Sequence, residues 1–492
     1  MKIRKILALV MVAVLVVALV GCGGKKREVI KLTLSTEDSE AILNAAGIRL
    51  PDAETAAGAN SVVKWCAHYD PFQNYSADEI VNTGFYTFTE KYGGSLDWVE
   101  VLYETRWDQL GQHLLGGTPP DLFPGETAVF PTYVMNAMFA PINKYIDLDD
   151  PLWGEMKDYM YNYFSLGDNA YVAVVSADYG EVVPYNRRVI NEFGLEDPAE
   201  LYYNDEWTWD KFYEMCVDFS DPDMDRYALD GWYYSASLFD SSGKQLVVKD
   251  PVTGHFSSNV DDPSFERIAT YLDDLNKNEC TYPWFSNGWN CRNDSATGAG
   301  VKDGLCLFWI VAPWGFTAPV AENANTWGDT NTELMFVPLP RDQYGDGNYY
   351  MASNPNAFCI INGANNAEGA ALIISCARFQ AIDPVVKAID KRQLQETYGW
   401  TEEMCDMADE CYRLANSGSP MINYNAGYGA DLAGIISYEG TMKAIGHTTS
   451  RSGSTWAQLK EANADRVSYY CDELNAQVDN FIATGGTFNA GK

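Results

Sequence analysis

From Ser61 onward the chain alternates short apolar runs of strand character with amphipathic helical stretches, and this constrains the fold more than any other feature. Strands that alternate with helices of this length pack as α/β layers. Ser61-Val62-Val63-Lys64-Trp65-Cys66-Ala67 reads as the first strand, ending in the loop His68-Tyr69-Asp70-Pro71. A capping box at Ser76–Glu79 opens a helix with Ile80, Gly84, Phe85, Phe88 and Tyr92 along one stripe, and Gly93-Gly94 stops it. The next strand is expected over Trp98–Tyr103, with a helix opening at Trp107. Further on, Asp262-Pro263 starts a helix with Phe265, Ile268, Ala269, Leu272 and Leu275 on one face. A Thr455-x-x-Gln458 box opens a terminal helix striped by Val467, Cys471, Leu474, Val478 and Phe481. At 492 residues the chain exceeds one ordinary core, so two domains or one two-lobed body is expected. No internal repeat or low-complexity segment interrupts the pattern.

Ahead of this region, Lys2, Arg4 and Lys5 precede an unbroken apolar run from Ile6 to Val20. The run is shorter than the roughly 20 residues a membrane-spanning helix needs, and it suits the core of a signal peptide. It ends Leu19-Val20-Gly21-Cys22-Gly23, which resembles a bacterial lipobox. That resemblance implies cleavage before Cys22, lipidation of Cys22 and attachment to a membrane. Residues 1–21 are then a signal peptide, and 22–59 a lipidated tether and weakly structured lead-in. The basic triplet Lys25-Lys26-Arg27 suits anionic headgroups.

Charge narrows the partners. The 34 Lys+Arg against 68 Asp+Glu leave −34, which argues against nucleic acid, because phosphate binding needs a basic surface. A self-repelling acidic surface favours a monomer. Four histidines (His68, His113, His255, His447) show no HExxH or paired-ligand spacing, which argues against a zinc hydrolase. Asp221, Asp223 and Asp225 do not complete a calcium loop, since Arg226 and Trp232 stand where Gly and Glu are required. No metal or cofactor is expected. Beyond Cys22 there are ten cysteines and no CxxC pair. Several, such as Cys306 and Cys359, lie within apolar runs where a thiol packs as a small hydrophobe. We expect most to be free, with Cys280–Cys291 the exception.

Three segments carry more than local packing when taken in order: Gly116-Gly117-Thr118-Pro119-Pro120-Asp121-Leu122-Phe123, Val182-Val183-Pro184-Tyr185-Asn186-Arg187-Arg188 and Trp207-Thr208-Trp209-Asp210-Lys211-Phe212. They continue in Asp221–Trp232, Val301–Gly315, Val337-Pro338-Leu339-Pro340 and Asn365–Ala371. Together, over roughly residues 61–485, they resemble the bacterial extracellular solute-binding proteins that serve carbohydrate ABC importers. Trp309 and Cys306 depart from the small residues usual in their segment.

The resemblance implies an α/β, two-lobed, periplasmic-binding-protein-like (type II) fold with a hinge and an interlobe cleft. Lobe one would take residues 60–178 plus 352–415, and lobe two 179–351 plus 416–488. It implies a non-enzymatic carrier with ABC permease subunits as partners. Sugars present apolar C–H faces edged by hydroxyls, so their sites combine flat rings with carboxylate acceptors. At strand-end loops and cleft segments the candidates are Tyr69, Asp70, Glu126, Asp178, Tyr179, Tyr185, Trp232, Trp314 and Tyr428. Trp314 and Trp232 would stack on sugar faces while Asp70, Glu126 and Asp178 accept hydroxyl hydrogen bonds. Two alternatives share the aromatic cleft. One is a lipid-anchored glycoside hydrolase, for which no GxSxG, P-loop or helix-opening GxGxxG is present but a carboxylate pair is not excluded by 68 acids. The other is a sugar sensor or adhesin on the same scaffold.

Overall fold

Two sheets organise the chain, and the apolar runs supply both. The structure, a computed structural model, describes residues 43–44, 47–52, 61–69, 83–231, 233–283, 300–418, 420–437, 440–443 and 454–486. In chain order the strands are β1 (Val62–Ala67), β2 (Ser95–Glu100), β3 (Leu122–Gly125), β4 (Ser165–Leu166), β5 (Asn169–Ala170), β6 (Ala173–Tyr179) and β7 (Val183–Asn186). Then come β8 (Tyr227–Asp230), β9 (Val247–Lys249), β10 (Phe256–Ser258), β11 (Cys306–Trp309), β12 (Leu334–Val337), β13 (Met351–Ile360) and β14 (Pro420–Met421). The first sheet runs β14-β13-β3-β1-β2 with β6 also paired to β13, and the second runs β12-β7-β11-β8.

Strand direction decides where a ligand can sit. In the first sheet β1 is parallel to β2 and β3, while β13 runs against both β3 and β6. The carboxyl ends of β1, β2, β3 and β6 therefore share one edge. In the second sheet β8 and β11 are parallel, and β7 runs against β11 and β12. The carboxyl ends of β8, β11 and β12 thus lie at the same edge as the amino end of β7. Only Gly180-Glu181-Val182 separates β6 from β7, so the two carboxyl edges adjoin at this crossing. A Cβ on Gly180 would lie 2.7 Å from the Cβ of Ala352, so glycine alone lets the crossing segments approach.

Side-chain caps open several of the helices. Asn186 accepts the Val189 amide at 3.1 Å and opens the helix Arg187–Glu192. Thr208 accepts from Lys211 at 3.4 Å and opens Trp209–Phe219. Ser264–Lys277 buries Phe265, Ile268, Ala269, Leu272 and Leu275. Trp456–Ala483, with the full Thr455/Gln458 capping box, buries Val467, Cys471, Leu474, Val478 and Phe481. Each buried Val, Leu, Ile or Phe among them contributes about 1.5–3 kcal/mol of transfer free energy.

Three expectations need revision. The second strand is Ser95–Glu100 rather than Trp98–Tyr103, because its ladder with β1 ends where β1 ends, at Ala67 opposite Glu100. Tyr103 instead begins a 3₁₀ turn, Tyr103–Thr105. The lead-in is partly anchored: Leu43 and Leu50 are buried, and the Tyr92 hydroxyl donates to the Pro51 carbonyl at 2.6 Å. Cys280 carries a free, buried thiol that donates to the Asn278 carbonyl at 3.6 Å, so the Cys280–Cys291 disulfide is not formed. Cys291 lies outside the described residues, as do residues 1–41 with Cys22, and the Ser76–Glu79 box with Ile80.

Candidate functional site

The first edge is built by the loops after β1, β2 and β3. Tyr69, after β1, is half-buried and meets Trp65 edge-on at 5.7 Å. Glu126, after β3, is gripped by Arg106, whose Nε and Nη2 donate to its two carboxylate oxygens at 2.9 and 2.8 Å. Arg106 is only 8% exposed. Its guanidinium lies 4.1 Å from the centre of the Tyr103 ring and 4.8 Å from that of Trp107. Trp107 in turn stacks on Tyr133 at 3.9 Å and 13°. Tyr103, Arg106, Trp107 and Tyr133 were not singled out from the sequence. The available signal was their place just after the second and third strands, which was hidden by setting the second strand three residues too late.

The crossing carries the acids. Asp178 opens to solvent yet is walled by protein, and this loss of hydration holds its carboxyl above the usual carboxylate range. Beside it Tyr179 is buried, stacked at 6.4 Å with Phe336 of the second sheet and edge-on at 4.8 Å to Tyr412. Tyr412, 42% exposed, comes from the helix Glu402–Arg413. Burial raises its phenol, and the charges of Asp178 and Asp390 add to the effect. A π-helical turn, Leu414–Gly418, closes the free edge of β6. There Asn416 accepts the Ala177 amide at 3.0 Å and donates to the Ala177 carbonyl at 2.6 Å and the Tyr412 carbonyl at 2.8 Å.

The second edge offers Trp314, 60% exposed in the turn Pro313–Gly315. It stands edge-on to Trp309 at 6.2 Å, and Trp309 stacks on Trp327 at 5.5 Å. Gly231, after β8, has φ +115°, and a Cβ there would lie 2.5 Å from the Ile310 carbonyl oxygen. Trp232 follows it in sequence, as Asp70 follows Tyr69; both lie outside the described residues.

Tyr185 and Tyr428 are not at these edges. Tyr185, at mid-β7, is fully buried, its hydroxyl donating to Asp197 and accepting the Ala199 amide at 3.1 Å. Tyr428 is 8% exposed and packs edge-on against Phe256 and Tyr424 at 5.9 and 5.3 Å. Its glycine-rich loop is tight rather than open, since a Cβ on Gly427 would lie 2.0 Å from the Phe130 carbonyl oxygen. A cavity of about 480 Å³ involving Arg188, Lys302 and Glu333 lies at the opposite edge of the second sheet, away from the crossing. Among the described residues no group of three or more His, Cys, Asp or Glu is placed to hold a metal, and the Asp221 carboxylate is taken by Arg226 at 3.0 Å.

The sequence matches the family described as bacterial extracellular solute-binding protein over residues 85–380. No curated protein matches it. Among solved structures it is similar to a sugar transporter from Rhizobium etli in an open conformation, at 12% identity and TM-score 0.56, covering 85% of this chain and 99% of that one. It is also similar to a cyclo/maltodextrin-binding protein complexed with maltotetraose, at 14% identity and TM-score 0.55, covering 84% and 97%. A third is the galacto-N-biose-/lacto-N-biose I-binding protein of the ABC transporter from Bifidobacterium longum in complex with lacto-N-biose, at 13% identity and TM-score 0.55, covering 83% and 97%. At these identities the likeness establishes the fold, and the expected periplasmic-binding-protein-like α/β architecture is the one observed. The family is one of non-enzymatic binding receptors, which removes the glycoside hydrolase alternative. On the match over residues 85–380, this chain belongs to the bacterial extracellular solute-binding protein family.

Proposed function

We propose that the chain captures a sugar or oligosaccharide between two lobes and delivers it to the permease subunits of an ABC importer. Lipidation at Cys22 would hold it on the extracytoplasmic face of the cell membrane. The observation that carries this reading is the meeting of two carboxyl strand edges at the β6–β7 crossing. Open α/β sheets bind ligands outside the carboxyl ends of their strands, and here the carboxyl edges of the two sheets adjoin at one crossing. In this reading Trp314 supplies a flat face from the second edge, and Asp178 and Glu126 supply acceptors from the first, with Tyr69 on the loop after β1. Asp70 and Trp232 adjoin the same edges in sequence. Tyr179 serves as packing at the crossing, and Tyr185 and Tyr428 as core. That similar proteins were crystallised with maltotetraose and lacto-N-biose supports a carbohydrate.

The lobes are drawn at 60–178 plus 352–415 and at 179–351 plus 416–488, and the pairing of β14 with the amino end of β13 supports carrying the first lobe on to Met421. Ligand transmits a signal only by binding the closed arrangement better than the open one. Micromolar affinity, about −8 kcal/mol, suits a carrier that must release its cargo.

The test is a thermal-shift screen of the chain from Gly23 against mono- and oligosaccharides, followed by calorimetry. Stabilisation growing as RT ln(1 + [L]/Kd), with the sugar recovered intact, is the expected result. A protein that responds to no saccharide, or one that consumes it, overturns the reading. For the anchor, radiolabelled palmitate should enter the wild type and not Cys22→Ser.

A further inference from the structure

We infer that Tyr103, braced from beneath by Arg106, is the first-edge platform on which a ligand ring stacks, and that Arg106 is the positioning residue for both Tyr103 and Glu126. This rests on the carbohydrate reading and adds a ring to the first edge.

The backbone that carries Tyr103 is fixed at three successive residues. The Val101 amide donates to the Ala67 carbonyl at 3.1 Å, prolonging the β1–β2 pairing beyond the strands. The Leu102 amide donates to Gln109 Oε1 at 2.8 Å. The Tyr103 carbonyl accepts Arg106 Nη1 at 2.5 Å. The loop is therefore set before any ligand arrives.

The ring itself is held on one face and along one edge. Its centre lies 4.1 Å from the Arg106 guanidinium, and its edge meets His68 at 5.0 Å and 72°. The side chain nonetheless remains 53% exposed, so its second face is open. A large ring that is oriented on one side and bare on the other loses little conformational freedom when something stacks on it. Tyr69 lacks this geometry: it is half-buried, with Trp65 and His68 against its ring.

Arg106 couples this platform to the acceptor. The fork that holds both oxygens of Glu126 belongs to the same guanidinium that underlies Tyr103. Each carboxylate oxygen keeps lone-pair capacity for a hydroxyl donor. The pairing also cancels the charge, so the wall presents a ring beside an acceptor of fixed direction. A lysine at this position would supply the charge but neither the planar face nor the two-point grip.

The experiment compares wild type, Y103A, Y103F, R106K and Y103A/R106K by calorimetry with whichever neutral saccharide the wild type binds in a panel that includes maltotetraose and lacto-N-biose. The melting temperature of each unliganded protein is recorded. Y103A should lose about tenfold in affinity with an unchanged melting temperature, and Y103F should stay near wild type. R106K should weaken binding, and the loss in the double variant should be smaller than the sum of the two single losses, because both substitutions remove the same platform while R106K alone also frees Glu126. Wild-type affinity in Y103A, or additive losses in the double variant, would overturn the platform while leaving the carbohydrate reading standing. Should R106K fail to fold, Y103A against Y103F still decides. A wild type that binds no saccharide overturns the carbohydrate reading, and the platform with it.

Discussion

Asn416 permits a sharp test of how the crossing is held. Its side-chain amide stands in for a neighbouring strand on the free edge of β6, accepting the Ala177 N–H and donating to the Ala177 carbonyl. The Ala177 amide can only donate, which fixes Oδ1 on that side and Nδ2 on the carbonyl side. In Asn416→Ala two backbone groups of a fully buried residue lose their partners. A dry unsatisfied group costs about 1–3 kcal/mol; because Asn416 is itself only half-buried, water repays part of this. We expect about 2–4 kcal/mol for the two groups together, from the lower half of that range. Asn416→Asp keeps the acceptor but turns a carboxylate oxygen toward two carbonyls, those of Ala177 and Tyr412, now 2.6 and 2.8 Å from Nδ2. At neutral pH it should therefore destabilise at least as much as alanine despite its closer shape. In acid, protonation restores one donor and the gap should narrow. Urea unfolding followed by tryptophan fluorescence, read as midpoint shifts at constant slope, measures both. An aspartate variant milder than alanine at neutral pH would refute the latch.

Other outcomes follow from the same geometry. Trp314→Ala should weaken sugar binding about tenfold while barely moving the unliganded melting temperature, since the ring is 60% exposed; a drop in melting temperature with binding intact would assign it to the core. Burial raises the Asp178 carboxyl above its unfolded value, so its contribution to stability is complete below the unfolded value and lost as pH rises through the folded one. Binding through the ionised form should have the opposite sign, strengthening over that window; Asp178→Asn should flatten both profiles, and a pH-independent wild-type affinity would rule out the acceptor role. Burial pushes the Cys66 thiol up to about 12 and holds those of Cys216, Cys359 and Cys411 well above the usual thiol range, so in a Cys22→Ser/Cys291→Ser variant Ellman's reagent should titrate thiols only after unfolding. Rapid reaction of the native variant would contradict that burial.

What the sequence revealed was mostly local. The Thr455–Gln458 box depends on one side chain and an amide three residues on, and it forms. The stripes of the two long helices depend only on the helical period. Facing within the strands was harder to read. β7 is buried at all four positions, so no alternation distinguishes a ligand-facing residue from a core one, and Tyr185 reads equally well as either. Tyr428 is a candidate because of its glycine-rich loop; only the packing of Phe256 and Tyr424 against it shows it to be buried. The Arg106–Glu126 pair was invisible because it depends on strand order. β1 lies between β2 and β3, and nothing in the residues between positions 106 and 126 announces that their loops converge.

The order in which strands enter the first sheet also bears on how the chain becomes a protein. β3 ends at Gly125, yet its antiparallel partner β13 begins only at Met351. Every strand of the second sheet lies between those points, so one body is nested within the other as an insertion. The first sheet remains an open template until the nested body has been made. Once that body folds, it draws residues 183 and 337 together and removes most of the loop-closure entropy that β13 would otherwise face. Assembly should therefore run from the inside outward, the nested sheet first and the enclosing one last. Until that last step the edge of β3 is unpaired, and a chain arrested there would be the form most open to proteolysis and aggregation.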